Sequence, residues 1–269
     1  IVVNDLGVER DGTEGEQLPS QDVVEEIRSF GGEAIGNGAD VADWEQSKSM
    51  ISQAIETWGR LDGLVCNAGF LRDRMLASMS EQEWDSVIRV HLKGHFAPAR
   101  HAIDHWRSLS KGGTEVHARI VNTSSGAGLM GSIGQGNYAA AKAAIALLTI
   151  QQASEWARYG VKVNAIAPDA RTRMTEGIFY SADDVKAGEF DDKSPDNVSP
   201  LVAWLVSSDC DITGRTFEVT GGQLNVCDGW QHGPVVTVGD RKMDITEVGN
   251  LIHQSIDQAP NPADVYGAS

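Results

Sequence analysis

Apolar residues follow two alternating patterns along the chain. Short apolar runs predict buried strands, and runs with helical spacing predict helices that bury one face. The strand-like runs fall at residues 1–3, 33–41, 61–68, 161–168 and 216–219, with one more that begins at Ile120. The helix-like segments fall at about residues 20–30, 43–59, 81–109, 137–158, 194–205 and 245–256. Strands that alternate with helices predict an α/β fold with a doubly wound parallel sheet in a single domain.

Residue types at the segment ends support these helix boundaries. Asp43 with Gln46, and Ser80 with Glu83, form predicted capping boxes, and Gly59 is a predicted helix end. The apolar residues expected to face inward on the helices that begin near residues 20, 81 and 194 are Val23, Val24, Ile27, Phe30, Trp84, Val87, Ile88, Phe96, Val198, Leu201, Val202, Trp204 and Leu205.

The two ends of the chain differ from its middle. The sequence opens on Ile1 within an apolar run, without Met or a polar lead-in, so we expect upstream sequence to be missing. Residues 1–224 are predicted to form the sheet domain, which would then be incomplete at its N-terminus. Residues 225–269 are predicted to form a C-terminal extension with one short helix near Ile245 to Ile256.

The composition restricts the class of protein. The chain has 269 residues, of which 41% are hydrophobic, and can therefore bury a large core. A net charge of −16 produces a negative field that disfavours nucleic acids and anionic membrane surfaces as partners. No apolar run reaches the ~18 residues of a membrane helix, and we expect no signal peptide.

The cysteines indicate the redox environment. Cys66, Cys210 and Cys227 are widely spaced and lack the pairing typical of metal ligands. We therefore expect neither a disulfide framework nor a metal site, and a reducing, cytoplasmic location fits best.

The segment from Ile120 to Leu148 concentrates residues of catalytic type. A strand that ends in hydroxyl residues is followed by a Gly-rich loop and by an Ala-rich helix that starts near Asn137. Tyr138 and Lys142 share one face of this helix because residues at i and i+4 are neighbours. Ser125, thirteen residues before Tyr138, can swing its hydroxyl over the start of the helix. A phenol, an ammonium and a hydroxyl are thus predicted to converge, although a Tyr and a Lys at this spacing also occur on many structural helices.

The whole segment resembles the active-site segment of the short-chain dehydrogenase/reductase family. The resemblance implies a Rossmann-type fold and hydride transfer between a nicotinamide cofactor and a secondary alcohol or ketone. It implies that Tyr138 is the base, that Lys142 lowers the phenol pKa and holds the cofactor ribose, and that Ser125 binds the substrate oxygen. It also implies a first strand with a Gly-rich phosphate-binding turn, and this sequence contains no such turn.

A second family pattern, Val-Asn-Leu-Lys-Gly, is matched by residues 90–94, in which His91 replaces the Asn that holds a water of the proton relay. An imidazole titrates near ~6.5, so His91 is expected to contribute an acidic limb to the pH profile. Lys142 nearby is expected to help keep the imidazole neutral. The alternative is that His91 only packs on the helix or borders the substrate. In that case the backbone carbonyl of this turn holds the water of the proton relay.

Asp5 follows the first strand and favours NAD over NADP. An acidic residue at a strand tip accepts hydrogen bonds from the ribose hydroxyls and repels a 2′-phosphate. A turn-forming Asp before Gly7 is the alternative. The family resemblance further implies that Asp40 and Val41 contact the adenine ring.

Further cofactor contacts are implied at the ends of two later strands. Asn67-Ala68-Gly69 matches the family tripeptide that steadies the central sheet and lets the backbone approach the cofactor. Pro168 and Thr172 match the loop after the next predicted strand, where Asp169 stands in place of the usual Gly and the loop is one residue shorter. This shortened form, together with the strings at residues 4–7 and 90–94, resembles the (3R)-hydroxyacyl-CoA dehydrogenase part of peroxisomal multifunctional enzyme type 2.

Together these features predict an NAD-dependent dehydrogenase of a secondary alcohol, with a 3-hydroxyacyl thioester as its small-molecule substrate. A hydroxysteroid dehydrogenase or a 3-oxoacyl thioester reductase is the alternative, and a catalytically silent fragment or partner subunit is the alternative of another class. Residues 175–194 correspond to the family's mobile substrate loop. The helices at residues 81–109 and 137–158 are expected to pair subunits into a homodimer or homotetramer.

Overall fold

The computed structural model describes residues 1–7, 19–172, 174–175, 180, 189–227, 229–261 and 263–268. The strands are β1 (Val2–Asn4), β2 (Ile35–Asn37), β3 (Gly63–Cys66), β4 (Ala118–Thr123), β5 (Val161–Pro168), β6 (Thr216–Thr220) and β7 (Gln223–Cys227). The helices are α1 (Pro19–Ser29), α2 (Trp44–Trp58), α3 (Glu81–Ile88), α4 (Gly94–Lys111), α5 (Gly126–Met130), α6 (Gly136–Trp156), α7 (Ser199–Val206) and α8 (Ile245–Ile256).

The strands form one large sheet and one small one. Strands β3, β4, β5 and β6 pair in parallel in that order, and β7 adds an antiparallel edge. Strands β1 and β2 form a separate parallel pair. This parallel-dominated α/β sheet confirms the predicted Rossmann-type fold. Among the described residues, β1 has no strand on the side opposite β2, and β3 has none opposite β4.

Helices cover both faces of the large sheet. In β4, Ile120 belongs to a core cluster that includes residues of α2, α4 and α6. The next residue, Val121, belongs to a second cluster that includes Leu205 of α7. Successive side chains of a strand point to opposite faces, so a central strand buried on both sides reads as a continuous apolar run. No helix in the described ranges combines the length and the apolarity needed to cross a membrane.

The predicted helix at residues 81–109 is interrupted by a π-helical segment. Residues Arg89–Lys93 adopt this wider turn between α3 and α4. A π turn inside a helix frequently marks a functional site. The segment that departs from α-helical geometry therefore coincides with the family motif around His91.

The predicted caps are confirmed in part. Ser80 and Glu83 form a complete capping box, and Gly59 ends α2 with a left-handed φ of 71°. The Asp43 side chain accepts from the Gln46 amide at 2.9 Å. The Gln46 side chain instead accepts from the Asp40 amide at 3.0 Å, so the second half of that predicted box is wrong.

The predicted strand end at Gly221 and Gly222 is a hairpin turn. Gly221 has a φ of +51°, and β7 returns along β6 in antiparallel register. The predicted boundary at residue 224 falls inside β7, so the sheet continues for three residues into the segment assigned to the extension. The division into a domain and an extension stays a prediction.

Several helix residues predicted to face inward are exposed. Val24, Val87 and Leu205 are buried as predicted. Five positions predicted to face inward are 39% to 71% exposed in this chain. The reason is that helical periodicity identifies an apolar stripe on a helix but does not show whether another element covers it. These five are Val23, Phe30, Trp84, Phe96 and Trp204.

Candidate active site

Ser125 lies directly beyond the carboxyl end of β4. Its side chain accepts a hydrogen bond from the Ala127 amide at 3.3 Å and caps the short helix α5. The preceding Ser124 is buried and donates to the Lys142 carbonyl at 2.8 Å. This contact ties the end of β4 to α6, and it places Ser125 at the edge of the sheet where α/β proteins bind ligands.

Close packing of α5 on α6 brings Ser125 toward Tyr138. A Cβ built on Gly128 of α5 would lie 2.5 Å from the Cβ of Lys142, so a larger residue has no room there. At the start of α6, the buried Asn137 side chain donates to the carbonyls of Arg72 and Glu83, both at 3.0 Å. These contacts fix the turn of helix that carries Tyr138.

Lys142 lies one turn beyond Tyr138 and is 2% exposed. Its Nζ donates to the Thr123 carbonyl at 2.7 Å and lies 5.5 Å from the centroid of the Tyr138 ring. An ammonium has three donors, and the described residues supply this single acceptor in hydrogen-bond range. Two protons of a buried ammonium are therefore left to bind another group.

Burial changes the acidity of both groups. It lowers the pKa of Lys142 to about 7, since the charged ammonium is desolvated. It also raises the pKa of Tyr138, which a hydrogen bond from Ser125 opposes and the nearby charge of Asp73 reinforces. The pKa of Tyr138 is raised because desolvation of the phenolate outweighs the hydrogen bond from Ser125. The role of Lys142 as the residue that lowers the phenol pKa stays a prediction.

His91 packs between Tyr138 and the segment that follows β3. Its ring meets the Tyr138 ring edge to face, with centroids 5.1 Å apart and an interplanar angle of 85°. Nε2 lies 2.8 Å from the Phe70 carbonyl and 3.2 Å from the Phe70 amide. Nδ1 is buried and has no hydrogen-bond partner among the described residues. His91 thus packs its ring against that of Tyr138 and keeps one ring nitrogen, Nδ1, without a partner among the described residues.

The pKa of His91 is lowered to about 3 by burial, assisted by the positive charge of Lys142 and opposed by the Phe70 hydrogen bond. The imidazole is therefore neutral at physiological pH. The acidic limb predicted from a pKa near ~6.5 is wrong, because a group that titrates near 3 contributes no such limb.

Gly69 makes room for His91. A Cβ at this position would collide with the imidazole ring, so the third residue of the Asn-Ala-Gly tripeptide is required by the histidine. The resemblance implied instead that this glycine lets the backbone approach the cofactor. Both functions require a residue without a side chain.

His95 is a buried residue of this region that the sequence did not reveal. Its Nδ1 lies 2.7 Å from the His91 carbonyl, and its Nε2 accepts from the Thr123 amide at 3.3 Å. The ring thus connects the π segment to the end of β4. Burial lowers the pKa of His95 well below its ordinary value, assisted by Lys142 and His91, so this bridge is uncharged.

The positions assigned to the adenosine half of a cofactor lie near the ends of β1 and β2. Asp5 donates its amide to the Asn37 carbonyl at 3.1 Å and accepts from the Gly7 amide at 2.7 Å. The contact between Asp5 and Gly7 is the local turn that the sequence predicts as the alternative to a role of Asp5 in cofactor binding. It occupies one carboxylate oxygen, and a carboxylate offers further acceptor sites.

Asp40 contacts the π segment, and Val41 contacts the first residue of α4. Asp40 forms an ion pair with Arg89 at 2.5 Å and also accepts from the Ala42 amide at 2.8 Å. Val41 packs so closely on Gly94 that a Cβ there would lie 2.7 Å from its side chain. Both residues therefore have structural contacts in addition to the role that the resemblance implies.

The remaining cofactor positions lie at the ends of β3 and β5. Asn67 and Ala68 are exposed beyond β3, on the sheet edge that lacks a further strand in the described ranges. Pro168 is the last residue of β5. Thr172 is exposed and accepts from the Met174 amide at 3.2 Å.

Asp169, which replaces a family Gly, is the centre of a polar cluster. It accepts from Lys193 at 2.7 Å, from Tyr180 at 2.5 Å and from Thr220 at 3.2 Å. Burial alone would raise the pKa of Asp169, but the hydrogen bonds from Lys193 and Tyr180 hold it below its ordinary value. The cluster joins the loop after β5 to the end of β6. Most of the predicted substrate loop, at 176–179 and 181–188, lies outside the described residues.

Comparison with known proteins identifies the family. The family model described as short chain dehydrogenase matches residues 13–181. The chain is 43% identical over 233 residues to hydroxyacyl-CoA dehydrogenase ChsB1 of Mycobacterium tuberculosis, covering 84% of this chain and 71% of that protein. It is 39% identical over 224 residues to mouse peroxisomal multifunctional enzyme type 2, covering 83% of this chain but 28% of the mouse protein.

A solved structure gives the same result. A short chain dehydrogenase from Mycobacterium avium shares 55% sequence identity and superposes with a TM-score of 0.87, covering 99% of this chain and 89% of that chain. Sequence and structure agree with the resemblance carried by Ser125, Tyr138 and Lys142. The chain therefore belongs to the short-chain dehydrogenase family of oxidoreductases.

Proposed function

We propose that the protein oxidises the secondary alcohol of a 3-hydroxyacyl thioester with NAD, in a reversible reaction. The observation that carries this proposal is the convergence of Ser125, Tyr138 and the buried Lys142 at the carboxyl end of β4. The similarity to a hydroxyacyl-CoA dehydrogenase and to a multifunctional enzyme supports the substrate class.

The residues fit a nicotinamide cofactor. Lys142 has donors to spare for ribose hydroxyls, since one of its three N–H groups is bound to Thr123. Asp5 retains acceptor sites at a strand end, where it would select against a 2′-phosphate. NAD supplies the acceptor for the hydride. A protein that kept the fold without the chemistry would have no need of an ammonium buried at 2% exposure beside a phenol.

The chain's own residues then handle the proton. Ser125 donates a hydrogen bond to the substrate oxygen and sets its distance from Tyr138. Tyr138, as phenolate, removes the hydroxyl proton, and the hydrogen bond from Ser125, which opposes the desolvation of Tyr138, favours that ionised form. His91 packs its ring against Tyr138 and has an unpartnered Nδ1, and it holds a water that carries the proton onward. The low pKa of His91 keeps its imidazole neutral for that task.

The proposal extends to assembly and location. Phe96 of α4 and Leu147 and Ile150 of α6 are 40% to 62% exposed, which supports subunit pairing through these helices into a homodimer or homotetramer. Cys66 and Cys210 are buried thiols, which suits a reducing, cytoplasmic environment.

The experiment is a substrate panel with the full-length protein that the gene encodes. NADH formation is followed by absorbance with 3-hydroxyacyl thioesters of several chain lengths, and the reverse reaction is followed with 3-oxoacyl thioesters. Hydroxysteroids and NADP are the competing substrate and cofactor. A clear preference for hydroxyacyl thioesters and NAD is expected. A preference for steroids, or no turnover of any thioester, would refute the proposed substrate.

A further inference from the structure

The C-terminal segment at residues 263–268 returns to the loop between α5 and α6. Tyr266 forms a parallel bridge with Ser132, donating its amide to the Gly131 carbonyl at 3.2 Å and accepting from the Ile133 amide at 3.0 Å. This segment lies far beyond residues 13–181, which the family model matches. A part of the chain outside that match therefore contacts the loop that connects Ser125 to Tyr138.

The same loop is also held by the segment before α3. Arg74 forms a parallel bridge with Gln135 and donates its amide to the Gly134 carbonyl at 2.7 Å. Two residues beyond Arg74, the Leu76 side chain packs directly on Gly136, where any Cβ would collide with it. The loop is thus bonded to two other segments of the chain.

Tyr266 also touches the residue that follows Ser125. A Cβ built on Gly126 would lie 3.0 Å from the Tyr266 ring and 3.0 Å from its hydroxyl oxygen. That hydroxyl makes a long hydrogen bond of 3.4 Å to Glu218 on β6. The ring therefore lies against the first turn of α5, the helix that Ser125 caps.

The side chains at these contacts are apolar and open to solvent. Leu76 is 64% exposed, Ile133 49%, Tyr266 47% and the neighbouring Val265 41%. Leu76 packs on Gly136, two residues before Tyr138, and Tyr266 packs on Gly126, the residue after Ser125. Exposed apolar side chains from three separate chain segments thus lie against residues that adjoin Ser125 and Tyr138 in the chain.

We propose that the C-terminal segment forms one wall of the substrate site and that Tyr266 determines acyl-chain specificity. This inference rests on the proposed function, since it assigns the exposed apolar surface to the acyl chain of the thioester. The Tyr266 ring contacts that chain and also sets the position of α5, so it has both a binding and a positioning role. The C-terminal extension then has a function in selecting the substrate.

The test compares kcat/KM for a short and a long 3-hydroxyacyl thioester in variants of the full-length protein. Tyr266→Ala should lower kcat/KM for the long substrate by roughly tenfold more than for the short one, the loss typical of missing apolar contact. Tyr266→Phe keeps the ring and should preserve the selectivity. Ile133 follows Ser132, the bridge partner of Tyr266, and Ile133→Ala should shift selectivity in the same direction. This variant is the substitute test if Tyr266→Ala does not fold. Trp230→Ala, fully exposed in the same extension, is the matched control and should leave selectivity unchanged.

A double-variant comparison isolates the contact with α5. Gly126 lies outside the left-handed region, so Gly126→Ala adds a methyl group without backbone strain, and it should reduce kcat by crowding the Tyr266 ring. In the presence of Tyr266→Ala the same change should have a smaller effect, because the ring is gone and only the Glu218 carboxylate, 3.2 Å from that methyl group, remains close.

The outcomes separate the two proposals. Equal losses for both substrates in Tyr266→Ala and Ile133→Ala, or additive effects of Gly126→Ala and Tyr266→Ala, would overturn the inference while the wild-type protein still oxidised hydroxyacyl thioesters. A wild-type protein that turned over no thioester would instead refute the proposed function, and the specificity role would fall with it.

Discussion

Replacing Lys142 by Met tests the electrostatics of the site through the stability of the fold. The pKa of Lys142 is lowered from 10.5 to about 7 by burial. Between these values the unfolded chain holds a proton that the folded protein has released, so the free energy of unfolding of the wild type rises with pH across that range. Below pH 7 the full penalty for burying the ammonium is present, and above 10.5 it is gone.

The size of the effect follows from this shift. At about 1.4 kcal/mol per pKa unit, the shift from 10.5 to about 7 corresponds to a penalty of about 5 kcal/mol at pH 6, about 2 kcal/mol at pH 9 and less than about 1 kcal/mol at pH 10. Lys142→Met removes this penalty but leaves the Thr123 carbonyl without its donor, which costs about 1–3 kcal/mol. The variant should therefore be more stable than the wild type at pH 6 and less stable at pH 10.

The assay is urea unfolding followed by tryptophan fluorescence at several pH values between 6 and 10, without cofactor. Lys48→Met, on an exposed position of α2, is the matched control and should show no such reversal. A stability difference between Lys142→Met and wild type that stayed constant with pH would show that the ammonium is not destabilised by burial, and the reasoning would fail.

Three further predictions concern the relay, the cofactor and assembly. His91→Asn should retain substantial turnover, whereas His91→Leu should lower kcat by roughly a hundredfold. Neither variant should alter the pH profile above pH 4, because the pKa of His91 is about 3. An unchanged kcat in the Leu variant would show that His91 only packs on the helix. Asp5→Ala should raise the NADP-to-NAD ratio of kcat/KM by roughly tenfold, as expected for one charge-assisted hydrogen bond; a wild type that already prefers NADP would contradict this role. Light scattering should give the mass of two or four chains, and a mass of one chain over a wide concentration range would contradict pairing through α4 and α6.

The catalytic candidates could be found from sequence because their placement is local. Helical geometry alone puts Tyr138 and Lys142 on one face, and the end of a buried strand puts Ser125 nearby. The long-range contacts could not be found in this way. His95 meets the Thr123 amide across 28 residues of chain, and nothing in its own surroundings distinguishes it from a surface histidine.

The acidity of the site was the least predictable property. Residue types suggested a titrating His91 and a Tyr138 acidified by Lys142, yet desolvation has the largest effect on all three groups. Burial depends on how α5, α6 and the π segment pack together, which periodicity does not specify. The antiparallel strand β7 was missed for a related reason, since a Gly-Gly pair ends a strand and turns a hairpin equally well.

The central claim is that Tyr138 is the base in the oxidation of a 3-hydroxyacyl thioester. The most direct measurement is the rate of NADH formation by Tyr138→Phe and by the wild type at saturating thioester and NAD, with NAD affinity measured in parallel. We expect the variant to bind NAD nearly as well as the wild type and to show no detectable turnover, because only the ionisable oxygen is lost. A variant that bound NAD normally and kept most of the wild-type rate would contradict the assignment of the base.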